Sequence, residues 1–473
     1  MIADIYRWNT APLSYFGPDP NSRIQTPAPG SVSDTAPLLV PTQGNTPSVG
    51  PKRWGIVFSG GPAPGGHDVL VGICQHLRPG DALVGFCGGF GGLLAGHAKP
   101  IDPSVAPMLA GTAGFDYLGT DRTKIATPQH MNTVQERLVA LGLDGLLVVG
   151  GDDSNTNAIH LSRALGTIQV IGIPKTIDGD LQFPPYLTTS FGFHTAIHHY
   201  AERVLELAID AKATQKYLHM VKLMGRNASH VTLAVAQQVQ PHMCLLSEEI
   251  TDLGWGFADV IAYFWDGIQR RMAANKPYGM CLFPEGIADA IPELRAYLNG
   301  DTTPLAAYFE ARDYPFYAVA APTGTDDHGN QSLSLLPVES IFAAAIDAES
   351  HHHACATMVC IPHFFGYEGR SSVPTEFDQQ YAQLLGKTAY GLALSGHTGV
   401  LASVDRVTPG CRPCGIPLAA MLGCTAANRW VIQKRLVETT DTAYNQYRAQ
   451  KNEWLMTDPE FPRPVLWTEP PIP

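Results

Sequence analysis

Cysteines and long apolar runs are both scarce in this chain of 473 residues. Nine cysteines, an odd and sparse number, do not suit a disulfide framework and are typical of reduced thiols in a cytosol. No stretch approaches the roughly 18 uninterrupted apolar residues of a membrane-spanning helix. The first residues, MIADIYRWNTAPLSYF, lack a basic segment followed by an apolar run, so we expect no secretory signal. These features predict a cytoplasmic protein with no membrane partner.

Positive charge is also scarce. The chain has 31 Lys and Arg against 43 Asp and Glu, a net charge of −12. A chain this acidic is a poor general partner for nucleic acid or an anionic membrane, although a local basic pocket is compatible with it. Apolar residues make up 45% of the chain, which excludes disorder throughout because so much apolar surface can be buried. The length is sufficient for two lobes or two domains.

Both ends of the chain are rich in proline. Residues 1–51 contain nine prolines and show no helical or strand period, which predicts an extended N-terminal arm without chemistry. Residues 457–473 form a similar tail. Between them, the apolar runs 54–58, 144–149 and 168–173 are each followed by a loop rich in Gly or Asp. Such runs predict buried parallel strands, whose carboxyl-end loops share one crevice.

The second half of the body repeats this organisation. YLHMVKL, MCLLSEE and YGMCLF are strand candidates. Residues 191–213 predict a helix, because one face carries five apolar residues. These are Ile197, Tyr200, Val204, Leu207 and Ala211. The sequence therefore predicts an α/β fold of two Rossmann-like lobes with mostly parallel sheets and a cleft between them.

The first loop, SGGPAPGGHD, contains Gly60, Gly61, Gly65 and Gly66. Glycines after a strand let backbone N–H groups approach an anion, and a following helix adds its positive end. The loop matches neither a P-loop, which closes with GK[ST], nor the GxGxxG spacing. A tight turn and a phosphate site both stay open for this segment.

The second loop, GGDDSNT, places Asp152 and Asp153 side by side after a strand. Adjacent carboxylates repel each other, a cost that a merely structural loop would avoid. Mg²⁺ prefers one or two carboxylates together with substrate phosphates, so this loop favours metal or phosphate chemistry. The alternative is a solvated turn in which Ser154 caps the next helix.

Further polar side chains follow the other strands. PKTIDGD supplies Lys175, Asp178 and Asp180, although the two aspartates are also ordinary turn formers. Arg226, in MGR, can bind a phosphate with two N–H groups of its guanidinium. Side chains usable for sugar hydroxyls and a second phosphate come from PEG and GYEGR, namely Glu285, Tyr367 and Arg370.

Six motifs occur in one order: SGGPAPGGHD, GGDDSNTNA, PKTIDGD, KY ahead of LMGRNASH, PEG, and GYEGRSSVPTEFD. Together they resemble the pyrophosphate-dependent phosphofructokinases over roughly residues 52–425. The resemblance implies reversible, Mg²⁺-dependent phosphoryl transfer from pyrophosphate to the 1-hydroxyl of fructose 6-phosphate. It also implies a donor-binding lobe of residues 52–190 plus about 370–425. A fructose 6-phosphate lobe would comprise residues 191–369 plus about 426–456.

The resemblance also implies roles for individual residues. Gly61, Arg122 and Lys175 would bind the donor, Asp152 would hold Mg²⁺, and Asp178 would be the general base. The fructose 6-phosphate site would comprise Thr176, Ile177, Asp178, Met224, Gly225, Arg226, Glu285, Tyr367, Glu368, Gly369 and Arg370. Lys216 and Tyr217 would reach into a neighbouring subunit's site, which implies a homodimer or a larger homo-oligomer.

Asp153 and Lys175 bear on the choice of donor. In the related ATP-dependent enzymes glycines typically stand at these two places. A carboxylate at 153 would repel the α-phosphate of ATP, and an ammonium at 175 would neutralise pyrophosphate. The pair therefore favours pyrophosphate.

Three residues depart from the family pattern: Pro62 and Asp68 replace Gln and Asn, and Cys87 replaces a lysine. The alternative functions are an ATP-dependent 6-phosphofructokinase and a non-catalytic regulatory subunit of the same fold. The histidines and cysteines between His351 and His363 match no metal-binding spacing, so we assign them no zinc site.

Overall fold

The structure is a computed structural model that describes residues 7–11, 38–42, 50–317, 333–405, 412–425 and 429–458. Within these ranges the strands form three sheets, of ten, four and two strands. The strands are β1 (Arg7–Ala11), β2 (Leu38–Thr42), β3 (Arg53–Phe58), β4 (Ala82–Phe86), β5 (Ala98–Ile101), β6 (Gly145–Gly150), β7 (Gln169–Thr176), β8 (Phe191–Gly192), β9 (Leu218–Leu223), β10 (Met243–Cys244), β11 (Gly279–Pro284), β12 (Cys360–Phe365), β13 (Val400–Asp405), β14 (Arg412–Pro417), β15 (Leu422–Cys424) and β16 (Trp430–Ile432).

The helices of the described ranges cover the faces of the sheets and connect their strands. They are α1 (Gly66–Cys74), α2 (Gly89–Ala95), α3 (Ala106–Leu109), α4 (Pro128–Ala140), α5 (Asp152–Ala164), α6 (Phe193–Thr214), α7 (His230–Val239), α8 (Ser247–Leu253), α9 (Phe257–Ala273), α10 (Ile287–Ala290), α11 (Pro292–Leu298), α12 (Thr303–Glu310), α13 (Val338–His352), α14 (Glu376–Leu394) and α15 (Thr442–Trp454). Short 3₁₀ turns lie at Pro103–Val105, Leu333–Leu335, Tyr367–Arg370 and Leu418–Met421. No helix among the described residues is long and apolar enough to cross a membrane.

The large sheet has the order β1-β2-β14-β13-β7-β6-β3-β4-β5, and β8 pairs with β7. Its centre is parallel, since β7, β6, β3 and β4 pair in one direction. Every residue of β6 is buried, as expected for a strand covered on both faces. Because these strands run parallel, the loops that follow β3, β6 and β7 emerge side by side at one edge.

The small sheet has the order β10-β11-β9-β12, with all strands parallel. The 22-residue α6 connects the two sheets and buries one face of its length. Four of the five residues predicted for that face are buried, and Leu207 is partly buried. The predicted fold class, α/β with mostly parallel sheets, is confirmed.

The structure corrects several local predictions. The N-terminal arm was expected to lack strands, yet β1 and β2 pair antiparallel, and Leu39 of β2 pairs with Gly415 at the edge of the large sheet. In MCLLSEE only Met243 and Cys244 form a strand, because Ser247 already begins α8. The strand predicted at 168–173 continues as β7 to Thr176, so Lys175 lies in the strand rather than in the loop.

A C-terminal strap, residues 429–458, returns across both lobes, a path that no local pattern predicted. Its β16 packs against α5, next to the large sheet. Its α15 packs against α7 and β10, next to the small sheet. In the strap, the carboxylate of Asp458 accepts hydrogen bonds from Arg271, Lys276 and Tyr278. The strap therefore connects the lobes through contacts at each of its ends.

Helices α1 and α14 cross closely beneath the loop that follows β3. A Cβ atom on Gly72 would lie 2.0 Å from the carbonyl oxygen of Gln383. Reciprocally, a Cβ atom on Gly386 would lie 2.2 Å from the carbonyl oxygen of Val69. Each helix thus has a glycine where it meets the backbone of the other helix. A larger residue would clash there, because backbone atoms cannot move away as a flexible side chain can.

We predict that Gly72→Ala lowers the free energy of unfolding by at least about 2 kcal/mol, because the added methyl group overlaps backbone. The helix preference of alanine, about 1 kcal/mol, opposes this loss only in part. Urea unfolding measures the change. Gly50→Ala is the control, since nothing lies within 4 Å of a Cβ at Gly50. Equal stability of the two variants would contradict the close-crossing argument.

Candidate active site

A cleft lies where the carboxyl ends of β3, β6 and β7 face residues that follow β9 and β12. Its lining combines glycines and hydroxyls with charges of both signs. The lining residues are Ser59, Gly60, Gly61, Pro62, Arg122, Gly151, Asp152, Asp153, Ser154, Lys175, Thr176, Ile177, Asp178, Arg226 and Arg370. The first three predicted loops therefore meet in one place.

Lys175 joins two of these loops. Its Nζ donates a hydrogen bond of 2.7 Å to the carbonyl oxygen of Gly61, in the loop after β3. A Cβ atom on Gly60 would lie only 3.3 Å from this Nζ. Gly60 also has φ +85°, a backbone conformation that favours glycine. Burial lowers the pKa of Lys175 to about 8, although the charge of Asp178 opposes the shift. The side chain is therefore a desolvated ammonium at neutral pH.

Two guanidinium groups approach the same glycine loop. A Cβ atom on Gly61 would lie 3.6 Å from Cζ of Arg370 and 3.8 Å from Nη2 of Arg122. The backbone at Gly61 thus lies between two arginines and a lysine. This arrangement of cations and backbone suits an anion with several oxygens, such as a phosphate group.

The acidic turn forms the opposite wall. Asp152 and Asp153 are the first two residues of α5, where the positive end of the helix favours carboxylates. Burial raises the pKa of Asp152, and Asp153 adds to the rise. Lys434 opposes the rise, since its Nζ lies 3.2 Å from Oδ2 of Asp152.

The structure corrects the role expected for Ser154. The N-cap of α5 is Gly151, and Ser154 lies inside the first turn. Its hydroxyl donates to Oγ of Ser59 over 2.9 Å, which ties the acidic turn to the loop after β3. The sequence did not show this link because the partners are 95 residues apart.

Asp178 and Asp180 lie in the turn after β7. The backbone N–H of Asp178 donates to Oγ1 of Thr176 over 3.0 Å, which orients the turn. Asp178 lines the cleft, whereas Asp180 is 4% exposed and lies behind it. Burial, with the charges of Asp178 and Asp152, raises the pKa of Asp180 to about 7. Asp178 is therefore the carboxylate of this turn that faces a ligand.

The far side of the cleft carries Arg226, Arg370 and Glu285. Burial raises the pKa of Glu285 to about 7, with a further contribution from the charge of Asp178. Among the described residues, Oε2 of Glu285 and Nε of Arg226 are buried without a hydrogen-bond partner. Buried polar groups are usually paired, so these atoms are candidates for a ligand's hydroxyl or phosphate oxygens.

Other residues predicted for the sugar phosphate site stand behind or beside the lining. Met224 is 1% exposed and belongs to the hydrophobic core. Gly369 packs against Tyr200, whose hydroxyl would lie 2.2 Å from an added Cβ. Glu368 accepts a hydrogen bond from the backbone of Gly366, and Tyr367 is about half exposed at the rim. Gly225, next to Met224, has φ +131°.

Lys216 and Tyr217 are not brought into this cleft. They precede β9, whereas Met224 and Arg226 follow it. Six strand residues, roughly 20 Å of chain, therefore separate the two groups. Their assignment to a neighbouring subunit's site stays a prediction.

The residues that depart from the family pattern lie in different places. Pro62 lines the cleft, but Asp68 is buried against α14, where Gln383 and the backbone of Gly111 donate hydrogen bonds to it. The histidines between His351 and His363, to which we assigned no zinc site, have separate partners: His363 pairs with His219 over 2.8 Å, and His353 stacks on Trp265. The described residues hold no group of three or more His, Cys, Asp or Glu arranged to bind a metal ion.

Residues 53–393 match the family model described as Phosphofructokinase. The chain belongs to the phosphofructokinase family. The pyrophosphate–fructose 6-phosphate 1-phosphotransferase of Treponema pallidum (strain Nichols) is 36% identical over 465 residues, covering 89% of this chain and 81% of that protein. The protein of the same name from Entamoeba histolytica is 34% identical over 443 residues, covering 85% and 81%. The family predicted from the ordered motifs is thereby confirmed.

Solved phosphofructokinases share the fold at low sequence identity. The pyrophosphate-dependent phosphofructokinase from Nitrosospira multiformis superposes with a TM-score of 0.59 at 16% identity, covering 88% of this chain and 95% of that chain. The corresponding protein from Marinobacter aquaeolei gives a TM-score of 0.58 at 18% identity, covering 87% and 93%. These likenesses support the two-lobed phosphofructokinase fold.

The raised pKa of Glu285 predicts a pH-dependent stability. The carboxyl keeps its proton in the folded state up to about pH 7 but loses it near pH 4.5 when unfolded. Stability is therefore lost as the pH rises between these values. We expect the stabilisation by Glu285→Gln to grow by up to about 3 kcal/mol between pH 4.5 and 7.5. Urea unfolding at several pH values measures it, with the exposed Glu206→Gln as control. A pH-independent difference would contradict the buried-carboxyl assignment.

Proposed function

We propose that this chain transfers a phosphoryl group reversibly from pyrophosphate to the 1-hydroxyl of fructose 6-phosphate, giving fructose 1,6-bisphosphate and phosphate. The observation that carries the proposal is the meeting of Asp153, Lys175 and Asp178 in one cleft. In this proposal Asp153 and Lys175 select pyrophosphate as the donor, and Asp178 acts on the hydroxyl of fructose 6-phosphate, the acceptor. The names of the relatives from Treponema and Entamoeba agree with this reaction.

The reaction needs one proton acceptor and much charge neutralisation. Asp178 accepts the proton of the 1-hydroxyl as its oxygen bonds to the terminal phosphorus. The bond between that phosphorus and the bridging oxygen breaks, and phosphate leaves. Phosphoryl transfer requires mainly positioning and electrostatic stabilisation, which the cations Lys175, Arg122 and Arg370 provide around Gly61. In the reverse direction Asp178 returns the proton.

The residues fit a Mg²⁺ ion that is bound partly by the donor. Mg²⁺ typically takes one or two carboxylates, water and substrate phosphates rather than a cage of protein ligands. Asp152 supplies such a carboxylate, next to Asp153 at the start of α5. When bound, Mg²⁺ would offset the negative charge of the transferring phosphoryl group. This fits the finding that the described residues offer no larger ligand cluster.

We assign the donor to the lobe of residues 52–190 plus about 370–425, and the sugar phosphate to residues 191–369 plus about 426–456. Lys216 and Tyr217 would complete the sugar phosphate site of a second copy in a homodimer or larger homo-oligomer. We also propose a cytoplasmic location, consistent with the metabolic substrates. Neither nucleic acid nor a membrane is a proposed partner.

Asp178→Ala should lower kcat by about three orders of magnitude while leaving the KM for fructose 6-phosphate little changed. The expected loss follows from removing the general base, which contributes roughly 10²–10⁴-fold. A coupled assay with pyrophosphate, Mg²⁺ and fructose 6-phosphate measures it. Asp266→Ala, an exposed carboxylate on α9, is the control. Near-normal turnover of Asp178→Ala would remove this residue from the mechanism.

Asp153→Gly should weaken the use of pyrophosphate and permit measurable turnover with ATP. Two like charges about 4 Å apart repel by around 4 kcal/mol at an effective dielectric constant of 20. Relief of half of that changes kcat/KM by tens-fold. The measurement is kcat/KM with each donor for the wild type, Asp153→Gly and Asp153→Gly with Lys175→Gly, which should shift the ratio further. An unchanged ratio in Asp153→Gly would place donor selection elsewhere.

The proposed role of Lys216 and Tyr217 can be tested by comparing the monomer with the oligomer. If Lys216 and Tyr217 act in a neighbour's site, a stable monomer should be nearly inactive, because its sugar phosphate site lacks both side chains. Sedimentation combined with the same coupled assay measures the activity of each species. A monomer as active per chain as the oligomer would refute this assignment.

A further inference from the structure

Lys434 is a cation that contacts the cleft residue Asp152 and belongs to none of the six sequence motifs. It lies in the C-terminal strap, between β16 and α15, and its Nζ is 3.2 Å from Oδ2 of Asp152. Both side chains of this ion pair are about four-fifths buried, at 21% and 20% exposure. An ion pair with this burial is screened less by water than a surface pair.

The backbone on both sides of Lys434 is fixed by hydrogen bonds to the cleft loops. The N–H of Ile432 donates to Oγ1 of Thr156 over 3.0 Å, within α5. The N–H of Arg435 donates to the carbonyl oxygen of Asp180 over 2.8 Å, and the carbonyl of Arg435 accepts from Nε2 of His230. The strap therefore places Lys434 independently of the ion pair, between the two acidic turns.

Lys434 lies near several carboxylates and near the guanidinium of Arg226. The turns after β6 and β7 bring together four carboxylates, those of Asp152, Asp153, Asp178 and Asp180. Lys175 is a second cation near this group, and it donates a hydrogen bond to the carbonyl oxygen of Gly61. Lys434 thus pairs with Asp152 in the acidic turn. Lys175 instead donates its hydrogen bond to the loop after β3.

We propose that Lys434 is a positioning residue that holds the Asp152 carboxylate and competes with a divalent cation for it. This role rests on the proposed function, in which Asp152 holds Mg²⁺ and the cleft binds pyrophosphate. The same ammonium attracts the polyanionic donor. Lys434 therefore weakens the binding of the metal alone and strengthens the binding of pyrophosphate.

This role predicts two shifts of opposite sign when the charge is removed. In Lys434→Met the dissociation constant of Mg²⁺ alone should fall by about tenfold, because one repelling charge near the metal is gone. The dissociation constant of imidodiphosphate, a hydrolysis-resistant analogue of pyrophosphate, should rise by about tenfold. Isothermal titration calorimetry of the full chain with each ligand separately measures both. Lys434→Arg should keep both constants within about threefold of the wild type.

A matched control separates charge from structure. Lys451 also lies in the strap and pairs with the buried Glu249 over 2.6 Å, away from the cleft. Lys451→Met should lower the thermal unfolding midpoint and leave both dissociation constants unchanged. A merely structural role for Lys434 would weaken both ligands together or neither.

The outcomes distinguish this proposal from the proposed function. A wild type that neither binds imidodiphosphate nor turns over pyrophosphate would overturn the function itself. If the wild type binds both ligands and folded Lys434→Met shifts neither, or shifts both in one direction, only the role of Lys434 is overturned. Lys434→Gln serves if the Met variant does not fold. Failure of both to fold would also contradict the proposal, because backbone hydrogen bonds hold the strap beside the cleft loops independently of the ion pair.

Discussion

The hydrogen bond from the Lys175 ammonium to the Gly61 carbonyl is the contact around which the cleft is arranged. Lys175 is the last residue but one of β7 and Gly61 follows β3, with β6 lying between these strands in the sheet. The side chain passes close to Gly60, where an added Cβ atom would lie 3.3 Å from its Nζ, so a glycine at this position leaves room for it. One desolvated cation thus joins β7 to the loop after β3, and Asp152, Arg122 and Arg370 are close enough to interact with its charge.

Electrostatics explains why so many charges can be buried together here. Each carboxylate near the cleft loses hydration, which raises the pKa of Asp152, Asp180 and Glu285. Burying such groups is tolerable only with cations close by, and Lys175 and Lys434 both lie near the acidic turns. Such a site suits a polyanion together with its metal ion. The anion would pair with the cations of the cleft, and the metal ion would pair with its carboxylates.

The sequence predicted what depends on local pattern and on the order of motifs. The apolar runs before the Gly and Asp loops became β3, β6 and β7, and the parallel arrangement brought Asp152, Lys175 and Asp178 together. Contacts that join distant segments could not be predicted in this way. The Ser154–Ser59 bond and the Lys434–Asp152 pair carry no local signal, because each depends on how the finished lobes pack. Similarly, β1 and β2 acquire strand geometry by pairing at a sheet edge rather than from an alternating pattern.

The pairing of β2 with β14 also has a consequence for how the protein is made. Leu39 is synthesised 415 − 39 = 376 residues before its partner Gly415. At translation rates of about 5–20 residues per second, this interval lasts roughly 20–75 seconds. Strand β13, which extends the parallel core beside β7, is equally late. The edge of the large sheet at β13 and β14 is therefore missing while the parallel core is synthesised, and β2, which precedes that core in the chain, can dock on β14 only afterwards.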